Sequence, residues 1–235
     1  LRCLNHRGRV IGDVPERWIN LMDHKPYNSF EIYQLLFNDD LALTGEYSSR
    51  LNDYAAYEVR KDIRQHDSIP QYVEKLESNM PNLKILNLSV EGLDSIHTSL
   101  NLSYDVAYGI DLSSPEELVY YSPVINPYFK KNPFTLEDRE YPVELPYPIQ
   151  IQQMYYFSIP EGYEVLEVPR PAVVRLPDNS ASFIYQSGIT DDVVNVTLSL
   201  FINRSLFVHE EYASLKQFLQ IITDKQKELV VLKKS

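Results

Sequence analysis

The 235-residue sequence contains one cysteine, Cys3, which excludes an internal disulfide framework and a Cys-rich metal site. Glycine is scarce, at seven residues, and this argues against nucleotide-binding folds that depend on Gly-rich loops. Positive charge is short as well. Lys and Arg number 22 against 33 Asp and Glu, for a net charge of −11 and a pI near 4.9. Nucleic acid and anionic membranes need a positive surface, so neither is expected as a partner. No run approaches the ~20 apolar residues of a membrane span. Residues 1–20 also lack the apolar core of a signal peptide. The chain opens on Leu1 rather than Met and therefore reads as a fragment or a processed product, so the missing signal says little about where the parent protein resides.

What remains is the composition of a globular protein, 44% hydrophobic and 23% charged, with 18 tyrosines. The length fits one large domain or two small ones. Residues 1–20 suggest a short hairpin, with Gly8 and Gly12 at turns. The aromatic and aliphatic run 30–37, the turn Asn38-Asp39-Asp40 and the run 41–47 read as two strands. Asn52 or Asp53 caps a helix over about 54–65, with Ala55, Val59 and Ile63 on one face. Ser68 and Pro70 begin a second helix that Pro81 ends.

The period then changes to two. Residues 83–90 and 117–122 are strand candidates, and Leu100, Leu102, Tyr104, Val106 and Tyr108 alternate with smaller or polar residues. Seven prolines between 115 and 148 mark a long surface crossing, because proline lacks a ladder donor. Further strands are expected over 149–159, 163–168, 172–176, 182–186 and 194–202. A helix over about 210–228 carries Tyr212, Leu215, Leu219 and Ile222 in one stripe, and a short strand over 229–232 closes the chain. Strands that follow one another without βαβ alternation predict a mainly β fold, an antiparallel β-sandwich of jelly-roll type with a few helices. The expected domain runs over 25–235, with 1–24 as a linker or the trailing edge of a preceding domain.

Candidate chemistry is thin. Cys3 lies among Arg2, Asn5, His6, Arg7 and Gly8, without the helix N-terminus and histidine that activate a thiolate. His6, His24, His66, His97 and His209 show no metal-ligand spacing. The pairs Asp39-Asp40, Glu116-Glu117, Asp191-Asp192 and Glu210-Glu211 read as solvated turn or helix-start acids, with a turn-built calcium site or a glycosidase carboxylate pair as the alternatives. No catalytic residue, metal or cofactor is assigned. The N-x-[ST] triplets at Asn87, Asn101, Asn195 and Asn203 read as ordinary strand residues. The proline-rich segment interleaves Tyr120, Tyr121, Tyr128, Phe129, Phe134, Tyr141 and Tyr147. These rings are either an irregular lid over the sandwich or a ligand platform for glycan or peptide, with Tyr121, Tyr128, Phe129 and Phe134 as the binding residues and exposed side by side.

Several short motifs occur in a familiar order: Asn132-Pro133-Phe134, then Arg139-Glu140-Tyr141-Pro142-Val143, then Pro160-Glu161-Gly162-Tyr163 followed by Pro169. Glu211-Tyr212-Ala213, Leu215-Lys216, Phe218 and 230–234 close the chain, and Gly45 with 54–60 fits an earlier part of the same region. Together they resemble the C-terminal β-domain, of unknown function, of bacterial transglutaminase-like proteins of the papain-like superfamily. The resemblance implies a non-catalytic accessory domain that packs on an upstream transglutaminase-like domain of the same polypeptide, or helps to place its substrate. It also implies export to the periplasm or cell envelope of a Gram-negative bacterium. The family's Cys-His-Asp set has no counterpart in the chain, so no catalytic residue carries over. The alternative function is a glycan- or peptide-binding module that uses the aromatic segment 120–147.

Overall fold

The computed structural model describes residues 7–12, 15, 17–21, 25–38, 41–80, 82–110 and 117–235. Cys3, His6, His24, Asp39, Asp40, Pro81 and Glu116 lie outside them. The expected hairpin near the N-terminus is present as β1 (Arg7–Val10) paired with β2 (Arg17–Asn20). Next come β3 (Tyr27–Phe37), β4 (Leu43–Asn52), α1 (Asp53–Arg64) and α2 (Ile69–Asn79). β5 (Leu83–Glu91), β6 (Leu100–Tyr108), β7 (Leu118–Tyr121) and β8 (Val143–Glu144) lead to β9 (Ile149–Ser158). The rest is β10 (Tyr163–Glu167), β11 (Ala172–Arg175), β12 (Ala181–Thr190), β13 (Val193–Ile202), β14 (Leu206–Phe207), α3 (Tyr212–Lys225) and β15 (Val230–Lys234).

The fold is mainly β, with a helix near the C-terminus as expected, and its layers are unequal. One sheet holds eight strands in the order β11-β12-β13-β9-β3-β4-β6-β5, and a smaller one holds β10-β15-β7. Neighbours in the large sheet are antiparallel except for β3 and β9, which run parallel in the middle, Tyr27 opposite Ile149 through Leu35 opposite Phe157. This pair joins two meanders, β3-β4-β6-β5 and β9-β13-β12-β11, that are far apart in sequence. Asp191 and Asp192, both in the left-handed region at φ 50° and 59°, turn β12 into β13, the backbone a two-residue hairpin turn requires. Gly45 is fixed by close approach, since a Cβ there would lie 1.9 Å from the Gln34 carbonyl oxygen on β3.

One face of the large sheet carries the core. Along β13, Val194, Val196, Leu198, Leu200 and Ile202 point inward, and along β9 Ile149, Ile151, Tyr155 and Phe157 do the same. The second layer is composite. Tyr121 of β7 meets Phe37 and Phe157 of the large sheet with ring centroids 5.4 and 5.0 Å away. α3 buries Tyr212, Leu215, Phe218, Leu219 and Ile222 in the same cluster, and α1 contributes Ala55, Ala56 and Ile63.

The proline-rich crossing lies over this layer and is strapped down. Lys130 donates to the Asn79 carbonyl at the end of α2, and Asn132 Nδ2 to the Lys216 carbonyl at 2.9 Å. The Leu136 carbonyl accepts from the Tyr212 hydroxyl at 2.9 Å and from Lys216 Nζ at 2.7 Å. No helix among the described residues is long and apolar enough to cross a membrane.

Leu219 is 2% exposed in the middle of the α3 stripe. Leu219→Ala should therefore destabilise the fold by about 2–5 kcal/mol, read as a lower urea midpoint at unchanged slope. An unchanged midpoint would place α3 outside the cooperative core.

Candidate functional site

The four aromatic residues expected to form an exposed platform do not stand together. Tyr121 is buried at 3% exposure between the two sheets. Tyr128 and Phe129 are half-buried and perpendicular to each other, with centroids 4.8 Å apart. Tyr128 continues into a ring chain through Tyr27, Tyr147 and Tyr54, at 5.6, 5.9 and 4.7 Å. Phe134 is half-buried against Tyr212, 5.6 Å away. Tyr121 thus departs from the expected exposed row, while Tyr128, Phe129 and Phe134 keep partial exposure and Tyr141 is 74% exposed. Prolines deny the crossing a ladder, so it is held by its side chains, and the rings are what it has to bury. Val124 and Ile125 are buried with them.

Under this segment the core is polar at one level. On the inward face of β3, Glu31 lies opposite Ser49 of β4 and Gln153 of β9. All three are buried. Ser29 Oγ donates to Glu31 Oε1 at 2.6 Å, and Gln153 Nε2 donates to Glu31 Oε2 at 3.2 Å and to the Asn126 carbonyl of the crossing at 2.9 Å. Burial pushes the Glu31 carboxyl above the usual carboxylate range, against the opposite pull of the hydrogen bonds from Ser29 and Gln153.

The next level is a row of tyrosines across four strands: Tyr155 on β9, Tyr33 on β3, Tyr47 on β4 and Tyr104 on β6. Successive centroids are 4.8, 4.7 and 4.3 Å apart. The Tyr33 and Tyr155 hydroxyls and Ser49 Oγ are buried without a partner in full hydrogen-bond geometry; the nearest candidates are the Tyr104 hydroxyl, the Asn126 backbone and the Tyr47 hydroxyl respectively. Tyr33 and Tyr155 are fully buried, while Tyr47 and Tyr104, each 7% exposed, border a shallow cleft beside Ser48 and Asp105.

The other face of the same strands is open. Outward on β3 stand Phe30, Ile32, Gln34 and Leu36, on β9 Gln150, Gln152, Met154 and Tyr156, on β13 Asn195, Thr197, Ser199 and Phe201, and on β12 Ser182, Ile184 and Gln186. None of these residues carries a charge, in a chain that is 23% charged. Phe30, Ile32, Met154, Tyr156, Ile184 and Phe201 are half-buried, yet they do not belong to the core formed by the described residues. The Tyr156 hydroxyl lies 3.5 Å from Met154 Sδ. Charge returns on either side of this strip, with Arg175 on β11 and with Glu46, Arg50, Asp105, Lys84 and Glu91 on β4, β6 and β5. The signal in the sequence was present: stretches 149–160, 179–190 and 193–203 contain no charged residue on either phase of their alternation.

The remaining candidates stay apart. Glu211 caps the approach to α3, accepting from the Val208 N–H and pairing with Arg204, and Asp191 and Asp192 are turn residues. Asn87 Nδ2 donates to Asp105 Oδ2 at 2.6 Å beside a bulge in β5. No group of three His, Cys, Asp or Glu that could hold a metal ion occurs among the described residues.

Comparison with known proteins adds a family and a distant likeness. Residues 117–232 match the family described as a domain of unknown function with a solved structure, DUF3858. No curated protein matches the sequence. A crystal structure described as "a putative protease" from Parabacteroides distasonis is similar over 51% of this chain and 24% of that one, at 13% identity and a TM-score of 0.42. The chain thus spans about a quarter of that protein's length.

The raised Glu31 carboxyl gives stability a defined pH dependence. A proton held more tightly by the folded state stabilises it fully below the unfolded carboxyl range, near 4.3, and this contribution is lost as pH rises through the higher folded value. The Glu31→Gln variant should track the wild type near pH 4 and gain on it by ~1.4 kcal/mol per pH unit until the folded carboxyl ionises. Parallel denaturation profiles across this range would show that Glu31 titrates as a solvated acid does.

Proposed function

We propose that this chain is a non-catalytic accessory domain that docks through the open face of β12, β13, β9 and β3 onto a neighbouring domain of the same polypeptide. On the resemblance of the sequence motifs, that neighbour would be a transglutaminase-like domain lying upstream. The observation that carries the reading is the absence of charge on this face. Protein interfaces are depleted of charged residues at their centre and enriched in aromatic residues and methionine, the composition formed here by Phe30, Met154, Tyr156 and Phe201 among amides and hydroxyls. Strand spacing and rise make the face roughly 600 Å², the scale of one side of a standard interface, ~800 Å². A net charge of −11 keeps the rest of the surface soluble and leaves this strip as the part that tolerates desolvation. The chain supplies no match to the family's Cys-His-Asp centre, so chemistry on this reading belongs to the neighbour. On the same reading the parent protein works in the periplasm or cell envelope.

Calorimetry with the separately expressed neighbouring region tests the assignment. The chain should bind it, and Met154→Lys combined with Ile184→Lys, two positions separated by β13 on this face, should weaken binding at least tenfold, because two unpaired charges of one sign would be desolvated at the interface. The urea midpoint should move little, since both side chains lie outside the core. Binding of a neutral oligosaccharide, lost in the same variant, with none to the neighbouring region, would instead make the face a glycan-binding surface.

A further inference from the structure

A second feature, remote in chemistry from the uncharged face, lies where α1 meets the turn 92–99. A cleft of about 570 Å³ opens there, lined by Asp53, Tyr57, Arg60, Lys61, Arg64 and Ile96 among others. Tyr57, Lys61 and Arg64 stand at i, i+4 and i+7 and so share one face of α1. Arg60 is 4% exposed and is covered by the turn it holds. Its Nε donates to the Gly92 carbonyl at 3.1 Å, and Nη2 donates to Gly92 at 2.8 Å and to Thr98 at 2.7 Å. Arg64 Nη2 donates to the Leu93 carbonyl at 3.0 Å. All of these acceptors are neutral. Among the described residues neither Arg60, Lys61 nor Arg64 meets a carboxylate, and Nη1 of Arg60 meets no acceptor.

Removing a guanidinium from water without a counter-ion is costly, and buried charges are ordinarily paired. That cost is borne here in a chain with eleven more negative charges than positive ones, at a point where three cations converge on a cavity. The one carboxylate in the lining, Asp53, is 3.6 Å from Lys25. The walls beside the cations are apolar, with Tyr57 45% and Ile96 73% exposed. Apolar walls with a few convergent polar groups are the usual build of a small-ligand site, and a planar guanidinium suits a carboxylate.

We propose that this cleft binds the carboxylate of an organic ligand with an apolar body, such as a peptide end or an acidic residue flanked by apolar ones. The carboxylate supplies the missing counter-ion to Arg60, Lys61 and Arg64. The apolar body rests on Tyr57 and Ile96.

Isothermal titration of the whole chain tests the site with four probes: N-acetyl-Leu-Phe with a free carboxylate, its C-terminal amide, N-acetyl-Leu-Asp-Phe amide, and inorganic phosphate. The free acid should bind, the amide at least tenfold more weakly, and raising salt from 50 to 500 mM should weaken the acid severalfold. The Asp-containing amide separates an acidic side chain from a chain end as the source. Lys61→Gln should weaken the acid about fivefold and Tyr57→Ala by a similar factor, both at an unchanged urea midpoint, because both side chains are exposed. Arg60→Lys serves as a second variant that keeps the charge while losing the fork. Equal binding of acid and amide, equal binding of phosphate alone, no binding at millimolar acid, or indifference to Lys61→Gln would each overturn the proposal.

Discussion

The parallel pairing of β3 with β9 holds the molecule together. Each strand is the inner edge of its own antiparallel meander, and neither meander alone closes the large sheet. The junction is reinforced on its inward side by two kinds of contact at successive levels. Gln153 reaches across it to Glu31, and Tyr155 stacks on Tyr33 at 9° between ring planes. Gln153 also holds the Asn126 carbonyl, so the position of the crossing is tied to the same side chain that completes the sheet. A buried acid at this point is a stability cost relative to an apolar residue, and its hydrogen bond from Gln153 ties β9 to β3, while Ser29 satisfies it from its own strand.

The strands of this junction serve two layers of different character. Inward, their side chains make a dense core of aromatic rings. Outward, the alternate residues of the same strands are amides, hydroxyls and unpaired apolar groups. Ordinary solvated sheet faces carry Lys and Glu, which blunt association; β12, β13, β9 and β3 do not. The distinction arises from a period of exactly two residues along the strand, so one sequence stretch encodes both surfaces without either constraining the other.

Elements with a strong local period were legible in advance. The alternation at 100–108 and 194–202, the stripe of Tyr212, Leu215, Leu219 and Ile222, and the turn residues Asp191 and Asp192 fall where the sequence puts them. The parallel β3–β9 pair was not legible, because a contact between residues so far apart leaves no local pattern. Glu31 was hidden for a related reason: one acid in a strand that also holds Asn28, Ser29 and Gln34 looks like a surface position until its opposite numbers, Ser49 and Gln153, are known. The aromatic residues of the crossing misled in direction. Proline suppresses the periodicity that tells inside from outside, so Tyr121, Tyr128, Phe129 and Phe134 could be read as a platform or as a lid; packing puts Tyr121 in the core and the other three partly buried against it. The α1 cleft depends on Arg60 meeting a turn some thirty residues away, which no spacing rule anticipates.

The match to residues 117–232 begins beyond the first meander. Within that span the large sheet retains β11, β12, β13 and β9 and loses β3, β4, β6 and β5. Such a half-sheet would end at β9 with a ten-residue strand whose outer N–H and C=O groups face nothing, flanked by the uncharged stretch that protects it least. Unpaired edges of this kind recruit whatever strand is nearby, including another copy of themselves. In the whole chain β3 occupies that edge of β9 in parallel register from Tyr27 opposite Ile149 to Leu35 opposite Phe157, so the first meander also shields the ladder that the second would otherwise leave open.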